Sequence, residues 1–196
     1  MADYQELVQL VEQANVHPSL GLKHCQRVYN LAKELAQNLA LDDEILYTSA
    51  ILHDLGKYPA YALPNVDHSL RSKGLASNIL QKQMFSPGKL PKVLDAIESH
   101  MYYSEPGRSD EAVYLRDANI LDNLGNIGIM RLFCLVGQDE LLKTPEDAIQ
   151  RARTFAEALP GKVATKAGRR LAVKRREEVL RFLAGLRRQT AEYSMI

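Results

Sequence analysis

Apolar residues recur every three or four positions along most of this 196-residue chain, a spacing typical of amphipathic α-helices. No segment shows the sustained alternation of apolar and polar residues that marks a half-buried β-strand. The sequence therefore predicts an all-α fold in the form of a helical bundle. The clearest single stripe consists of Leu22, Cys25, Val28, Leu31, Ala32, Leu35 and Leu39.

Residues with helix-capping chemistry indicate where several helices begin. Ser19 is expected to cap a helix that runs to about residue 39, and Asp42 suits the start of the next one. The segment 144–147 reads Thr-Pro-Glu-Asp, which predicts a helix with a threonine cap, proline at its first position and acids in its first turn. A last long helix is expected over about residues 163–188.

The charge distribution and the cysteines limit the partners and the compartment. The net charge is +1, but residues 161–188 hold ten Lys or Arg and only two Glu. Such a helix is usually a solvated face, so we do not expect a nucleic-acid partner, although the segment could bind polyanions. Cys25 and Cys134 lack any ligand spacing. With neither a secretory signal nor a long apolar run, the sequence predicts a cytoplasmic protein without a membrane partner.

The strongest local chemical signal is His53-Asp54, which an apolar segment delivers directly before Gly56. Imidazole and carboxylate together suit several divalent transition metals, although a His-Asp dipeptide alone is weak evidence. His24 borders the apolar stripe of its helix, where a core histidine is the more ordinary interpretation. Asp117 lies among apolar residues, and a buried acid needs a partner such as a metal.

These residues together resemble the H…HD…D signature of the HD superfamily of metal-dependent phosphohydrolases. His24, His53-Asp54 and Asp117 follow one another in that order. The segment 116–129, RDANILDNLGNIGI, is similar to the DADxLDxLGxIG segment of a bacterial branch, some of whose members hydrolyse nucleoside triphosphates to pyrophosphate and monophosphate. The resemblance covers about residues 17–135. It implies an HD-type helical domain over residues 1–140, with C-terminal helices over 141–196 packed on it or extending it.

The resemblance also implies roles for individual residues. The metal ligands would be His24, His53, Asp54 and Asp117. Asp54 would also act on the attacking water, and Lys57 would sit beside it as a second catalytic residue. The metal is a divalent ion, Mn, Fe, Co, Ni, Mg or Zn, with Mn or Fe favoured. The substrate would be a small phosphorylated molecule, a nucleotide by preference.

Three further positions could bind either a second metal or a substrate phosphate: His68, His100 and Arg27. We favour one ion, or a weak second one, with His68 and His100 lining the cleft. Asn119 stands where the bacterial branch usually has Asp, and it could act with Asp122 behind the ligands. The sequence does not fix the oligomeric state and is compatible with a homodimer.

Two other functions use the same residues. A di-iron oxygenase that consumes O₂ would take its six ligands from the four residues of the signature together with His68 and His100; the LGxIG-like segment argues against it. A non-catalytic nucleotide sensor need not keep a hydrolytic metal, so intact ligand positions argue against that class.

Overall fold

The computed structural model describes residues 4–14, 17, 19–37 and 39–193. This described part is helical and contains no β-strand, which confirms the predicted all-α fold. The chain forms two compact units, Met1–Asn119 and Ile120–Ile196. They divide within a helix, and a functional division near residue 140 stays a prediction. None of the described helices combines the length and apolar character that a bilayer crossing requires.

The described residues of the first unit form five helices and most of a sixth. Leu7, Ile51, Leu80 and Ile97 are all fully buried in its core, so helices far apart in sequence share one apolar centre. The elements are α1 (Tyr4–Gln13), α2 (Leu22–Ala36), α3 (Asp43–Leu52), a 3₁₀ turn (Leu55–Lys57), α4 (His68–Lys82), α5 (Leu90–Glu98) and α6 (Asp110–Asp122), whose last three residues belong to the second unit.

The predicted cap of α2 is wrong. Gly21, not Ser19, occupies the N-cap position, and the helix ends at Ala36. The Ser19 hydroxyl lies 2.7 Å from Nδ1 of His17, so this side chain stabilises the preceding turn instead of a helix end. The predicted start of α3 is confirmed, because Asp42 Oδ1 accepts hydrogen bonds from the backbone N–H groups of Glu44 and Ile45.

Gly56 is required by close packing and not by a turn with positive φ. A Cβ atom at Gly56 would lie 2.5 Å from the carbonyl oxygen of His68 and 2.6 Å from the backbone nitrogen of Ser72. The backbone N–H of Gly56 also donates to the Ser72 hydroxyl at 2.8 Å. The absent side chain therefore lets the segment after α3 lie directly against the first turn of α4.

The second unit packs three helices around its own core, in which Ile129, Ile149 and Val179 are buried. The predicted Thr144 cap is confirmed, and the structure adds a reciprocal bond, since the Asp147 side chain accepts from the backbone N–H of Thr144. The elements are α7 (Gly125–Cys134), α8 (Pro145–Ala158), a 3₁₀ turn (Pro160–Lys162) and α9 (Lys166–Gln189). The exposed basic residues of α9 are Lys166, Arg169, Arg170, Lys174, Arg176, Arg181, Arg187 and Arg188.

Candidate metal centre

The end of α3 delivers two polar side chains into the core of the first unit. Helix α3 is apolar over most of its surface, and its last residues are fully buried. His53 follows as the C-cap, and Asp54 leaves the helical conformation at φ −100° and ψ 5°. The two side chains are 0% and 5% exposed. A buried, ionisable pair of this kind requires compensating partners.

One group of ligand atoms forms around one oxygen of Asp54. Nε2 of His24 and Nε2 of His53 lie 3.2 Å apart. Oδ2 of Asp54 lies 3.6 Å from the His24 nitrogen and 3.7 Å from the His53 nitrogen. Ligands about 2.1 Å from a common metal are separated by roughly 3–4 Å, so this spacing suits a single ion.

A second group forms around the other oxygen of the same carboxylate. Oδ1 of Asp54 lies 3.5 Å from Nε2 of His68 and 3.3 Å from Nε2 of His100. The three ligand atoms all lie within 4.8 Å of one another, as do those of the first group. The two oxygens of Asp54 thus face two different imidazole pairs.

The hydrogen bonds of the rings fix which nitrogen is free to coordinate. Nδ1 of His53 lies 2.8 Å from the Ala50 carbonyl oxygen, and Nδ1 of His100 lies 2.6 Å from that of Ile97. A carbonyl can only accept, so each Nδ1 carries the proton and each Nε2 keeps its lone pair. Among the described residues, Nε2 of His68 and of His100 are buried without a hydrogen-bond partner. The lone pair of His100 Nε2 lies 3.3 Å from a carboxylate oxygen, an arrangement that fits a bound cation, so these residues fit a divalent metal.

The protonation states agree with metal ligation. Burial lowers the pKa of His53 to about 3 and lowers that of His68 as well. Burial on its own raises the pKa of Asp54, but the neighbouring His53 imidazole and Lys57 ammonium, together with His100, hold it well below its ordinary value. At neutral pH His53 and His68 are therefore neutral and Asp54 is ionised, the forms in which these groups bind metals.

The remaining predicted residues lie at three distinct places. Asp117 is fully buried on α6 but belongs to neither group of ligand atoms, so its role as a ligand stays a prediction. Asn119 donates to the carbonyl oxygen of His100 at 3.3 Å, which places it directly behind that ligand. Asp122 pairs with Arg131 at 2.9 Å, and both side chains are buried.

Two basic residues were predicted to contact a phosphate. Lys57 lies in the 3₁₀ turn three residues after Asp54, and its side chain is exposed. Its charge contributes to the low pKa of Asp54. Arg27 is half-buried on α2, one turn after His24. Their contact with a phosphate stays a prediction.

Sequence reasoning missed Asp67, whose side chain caps α4 directly before His68. An aspartate in front of a helical segment is a recognisable capping signal, and here the capped helix begins with a candidate ligand.

The chain is similar to one protein-family model and to one curated protein. The HD domain family model matches residues 21–124, just over half of the chain. The chain is 31% identical to Ribonuclease Y of Acidothermus cellulolyticus over an alignment of 176 residues, covering 87% of this chain and 32% of that protein. It therefore spans about a third of the length of this curated relative.

Solved structures share the fold over nearly the whole chain. The crystal structure of a predicted HD superfamily hydrolase from an uncultured Thermotogales bacterium is 25% identical, with a TM-score of 0.65, covering 97% of this chain and 92% of that one. Bacillus subtilis YpgQ, crystallised with ADP, is 22% identical with a TM-score of 0.70, covering 94% and 96% of the two chains. With the match to the family model, these likenesses lead to one conclusion: the chain belongs to the HD domain family.

Proposed function

We propose that this chain is a metal-dependent phosphohydrolase that cleaves a phosphate ester or pyrophosphate bond of a nucleotide. The observation that carries the proposal is the position of Asp54, whose two oxygens each lie 3.3–3.7 Å from the Nε2 atoms of a pair of imidazoles. Membership of the HD family supports the same reaction class.

In this proposal one ion would be held by His24, His53, Asp54 and Asp117. A second ion would be held by Asp54 together with His68 and His100. The sequence favours one ion, or a weak second one, with these last two histidines lining the cleft, where they could instead contact a substrate phosphate. An unscreened phosphate there would meet the ionised Oδ1 only 3.3 Å from His100 Nε2, and like charges at such a distance repel strongly. A cation between them removes the repulsion.

Bound divalent ions lower the pKa of a coordinated water and neutralise charge on the phosphate. The chain supplies the remaining functions. Each carboxylate oxygen of Asp54 has a second lone pair, which can accept a hydrogen bond from the attacking water. The exposed Lys57 can neutralise an outer phosphate, and Arg27 can bind another with its planar guanidinium.

A nucleotide is the favoured substrate class because the similar Bacillus subtilis protein was crystallised with ADP. A second candidate is the phosphodiester backbone of RNA, which the name of the relative Ribonuclease Y favours. Exposed arginines and lysines of α9 could attract such a polyanion. The product of hydrolysis distinguishes the two substrates, since a nucleotide releases phosphate or pyrophosphate and RNA releases RNA fragments.

The test uses metal-stripped protein supplied in turn with Mn²⁺, Fe²⁺, Co²⁺, Ni²⁺ and Mg²⁺. Nucleoside mono-, di- and triphosphates, a general phosphoester and a short RNA are offered, and released phosphate, pyrophosphate and RNA fragments are measured. Asp54→Ala is compared with Asp43→Ala, which removes an exposed carboxylate paired with Lys33 on the surface.

We expect metal-dependent turnover that Asp43→Ala leaves intact. Asp54→Ala should lower it by more than the roughly 10–100-fold that changes behind the ligands cause. Oxygen uptake by the iron-loaded protein without phosphate release would support the di-iron oxygenase instead. Nucleotide binding without turnover under any metal would support the sensor.

A further inference from the structure

The first residue of α4 is the candidate ligand His68, and Asp67 fixes the start of this helix. Oδ1 of Asp67 accepts hydrogen bonds from the backbone nitrogen of Ser69 at 2.8 Å and from that of Leu70 at 3.4 Å. It also accepts one from the Ser69 hydroxyl at 2.5 Å. These bonds join Asp67, directly before His68, to the residues directly after it, so the cap determines where the His68 backbone lies.

The ring of His68 depends on this backbone position more than the other rings do. His53 and His100 are each oriented by a bond from Nδ1 to a carbonyl three residues earlier. Within the described part of the chain, neither ring nitrogen of His68 has a hydrogen-bond partner. The His68 side chain is also the most exposed of the four imidazoles, at 19%. Its orientation must therefore come from the helix that carries it.

The other oxygen of Asp67 joins this helix start to the segment after His100. Oδ2 accepts a hydrogen bond from the Tyr103 hydroxyl at 2.8 Å. Tyr103 lies three residues after His100, and its side chain is 52% exposed. This one contact connects the backbones that carry the two imidazoles facing Oδ1 of Asp54.

The segment with Tyr103 is itself held from α6. The buried Arg116 donates from Nε to the carbonyl of Met101 at 3.3 Å, and from Nη2 to those of Tyr102 and Ser104 at 3.2 and 3.1 Å. Three carbonyls held by one guanidinium leave the segment little freedom. The Tyr103 hydroxyl is therefore presented to Asp67 from a fixed support.

We infer that Asp67 and Tyr103 are positioning residues for the second ion, because their hydrogen bond sets His68 relative to His100. The inference rests on the proposed metal site. Contacts behind the ligands that orient them typically change metal affinity about 10–100-fold when they are lost. Here the contact acts through the helix start, since no bond reaches the ring itself.

The experiment is a Mn²⁺ titration of the metal-stripped full chain, with free Mn²⁺ measured by electron paramagnetic resonance. Tyr103→Phe removes only the hydroxyl, and Asp67→Ser keeps a capping oxygen but loses the partner of Tyr103. Tyr29→Phe is the matched control, because its hydroxyl donates to another carboxylate, Asp43, at the surface.

We expect Tyr103→Phe and Asp67→Ser each to raise the Kd of the weaker ion about 10-fold, leaving the tighter ion unchanged. Combining the two changes should add nothing, and Tyr29→Phe should match the wild type. An unchanged Kd for both ions in Tyr103→Phe would overturn the positioning role while leaving the metal site intact. A wild-type chain that binds fewer than two ions would overturn the second site and this inference together, which the wild-type titration alone reveals.

Discussion

Oδ1 of Asp54 and Nε2 of His100 face each other at 3.3 Å, and the described residues provide no hydrogen-bond partner for this nitrogen. The proton of the His100 ring lies on Nδ1, which donates to Ile97. Two groups that can only accept therefore point at each other in a buried site. A cation between them resolves the conflict. His100 should therefore determine how many ions the chain binds.

His100→Ala should lower the bound Mn²⁺ from two ions to one per chain. The group formed by His24, His53 and Asp54 keeps its first ion, because it does not use His100. Metal analysis after gel filtration measures the ratio. His17→Ala is the control, since that histidine pairs with Ser19 and belongs to neither group. Two ions retained in His100→Ala would exclude His100 as a ligand.

Gly56→Ala should lower the free energy of unfolding by about 1–3 kcal/mol, the usual cost of overpacking. The new methyl group would meet backbone atoms of His68 and Ser72 at 2.5 and 2.6 Å, and backbone cannot move aside cheaply. Denaturant unfolding gives the free energy. Gly74→Ala is the control: it is on α4 with nothing within 4 Å of its added Cβ, so it should stabilise by about 0.5–1 kcal/mol. Equal effects of the two changes would contradict the close packing at Gly56.

Asp42 should contribute stability that disappears in acid. Burial on its own raises the pKa of Asp42, but the Lys89 ammonium and the backbone N–H groups of Ile45 and Glu44 bring it below its ordinary value. A carboxyl with a lowered folded-state pKa stabilises above its unfolded pKa of about 3.9 and loses this effect as pH falls through the folded value.

Asp42→Asn keeps the helix cap but removes this titration. The unfolding free energy of the variant should therefore be below that of the wild type at pH 7. The difference should shrink as pH is lowered from about 5 toward 2. Chemical denaturation at several pH values measures it. A difference that stays constant across this range would show that the carboxylate charge is not its source.

Asp122→Asn should destabilise the second unit by about 3 kcal/mol, because it leaves the buried guanidinium of Arg131 without its carboxylate. Metal content should be unchanged, since Asp122 pairs with Arg131, which is not a candidate metal ligand. Unfolding and metal analysis are measured on the same sample. Glu140→Gln, an exposed acid of the same unit, serves as the control. A loss of metal with little loss of stability would instead support the predicted role behind the ligands.

Helix content was predictable from the sequence because apolar periodicity and capping are local properties. Asp42 and Thr144 cap helices as predicted, since each bonds to backbone within three residues. The prediction that Ser19 caps α2 is wrong because the Ser19 hydroxyl pairs with His17 instead. The role of Gly56 could not be predicted, because it depends on the approach of α4, which comes later in the chain.

The sequence predicted which residues belong to the candidate site better than it predicted how those residues are arranged. The resemblance proposes His24, His53, Asp54 and Asp117 as ligands, and the ligand atoms of the first three lie in one group, while the role of Asp117 stays a prediction. That His68 and His100 face the other oxygen of Asp54 requires the packing of α4 and α5, which spacing in the sequence does not reveal. Asp67 and Tyr103 meet for the same reason, over 36 positions.

The most direct measurement follows bound Mn²⁺ and nucleotide hydrolysis together in the wild type and in Asp54→Ala. Since Asp54 supplies an oxygen to both groups, its removal should lower the affinity for both ions and abolish metal-dependent release of phosphate or pyrophosphate. The wild type should bind two ions and hydrolyse the nucleotide. Hydrolysis that persists in Asp54→Ala, or that proceeds in the wild type after metal is stripped, would contradict a metal-dependent reaction centred on this carboxylate.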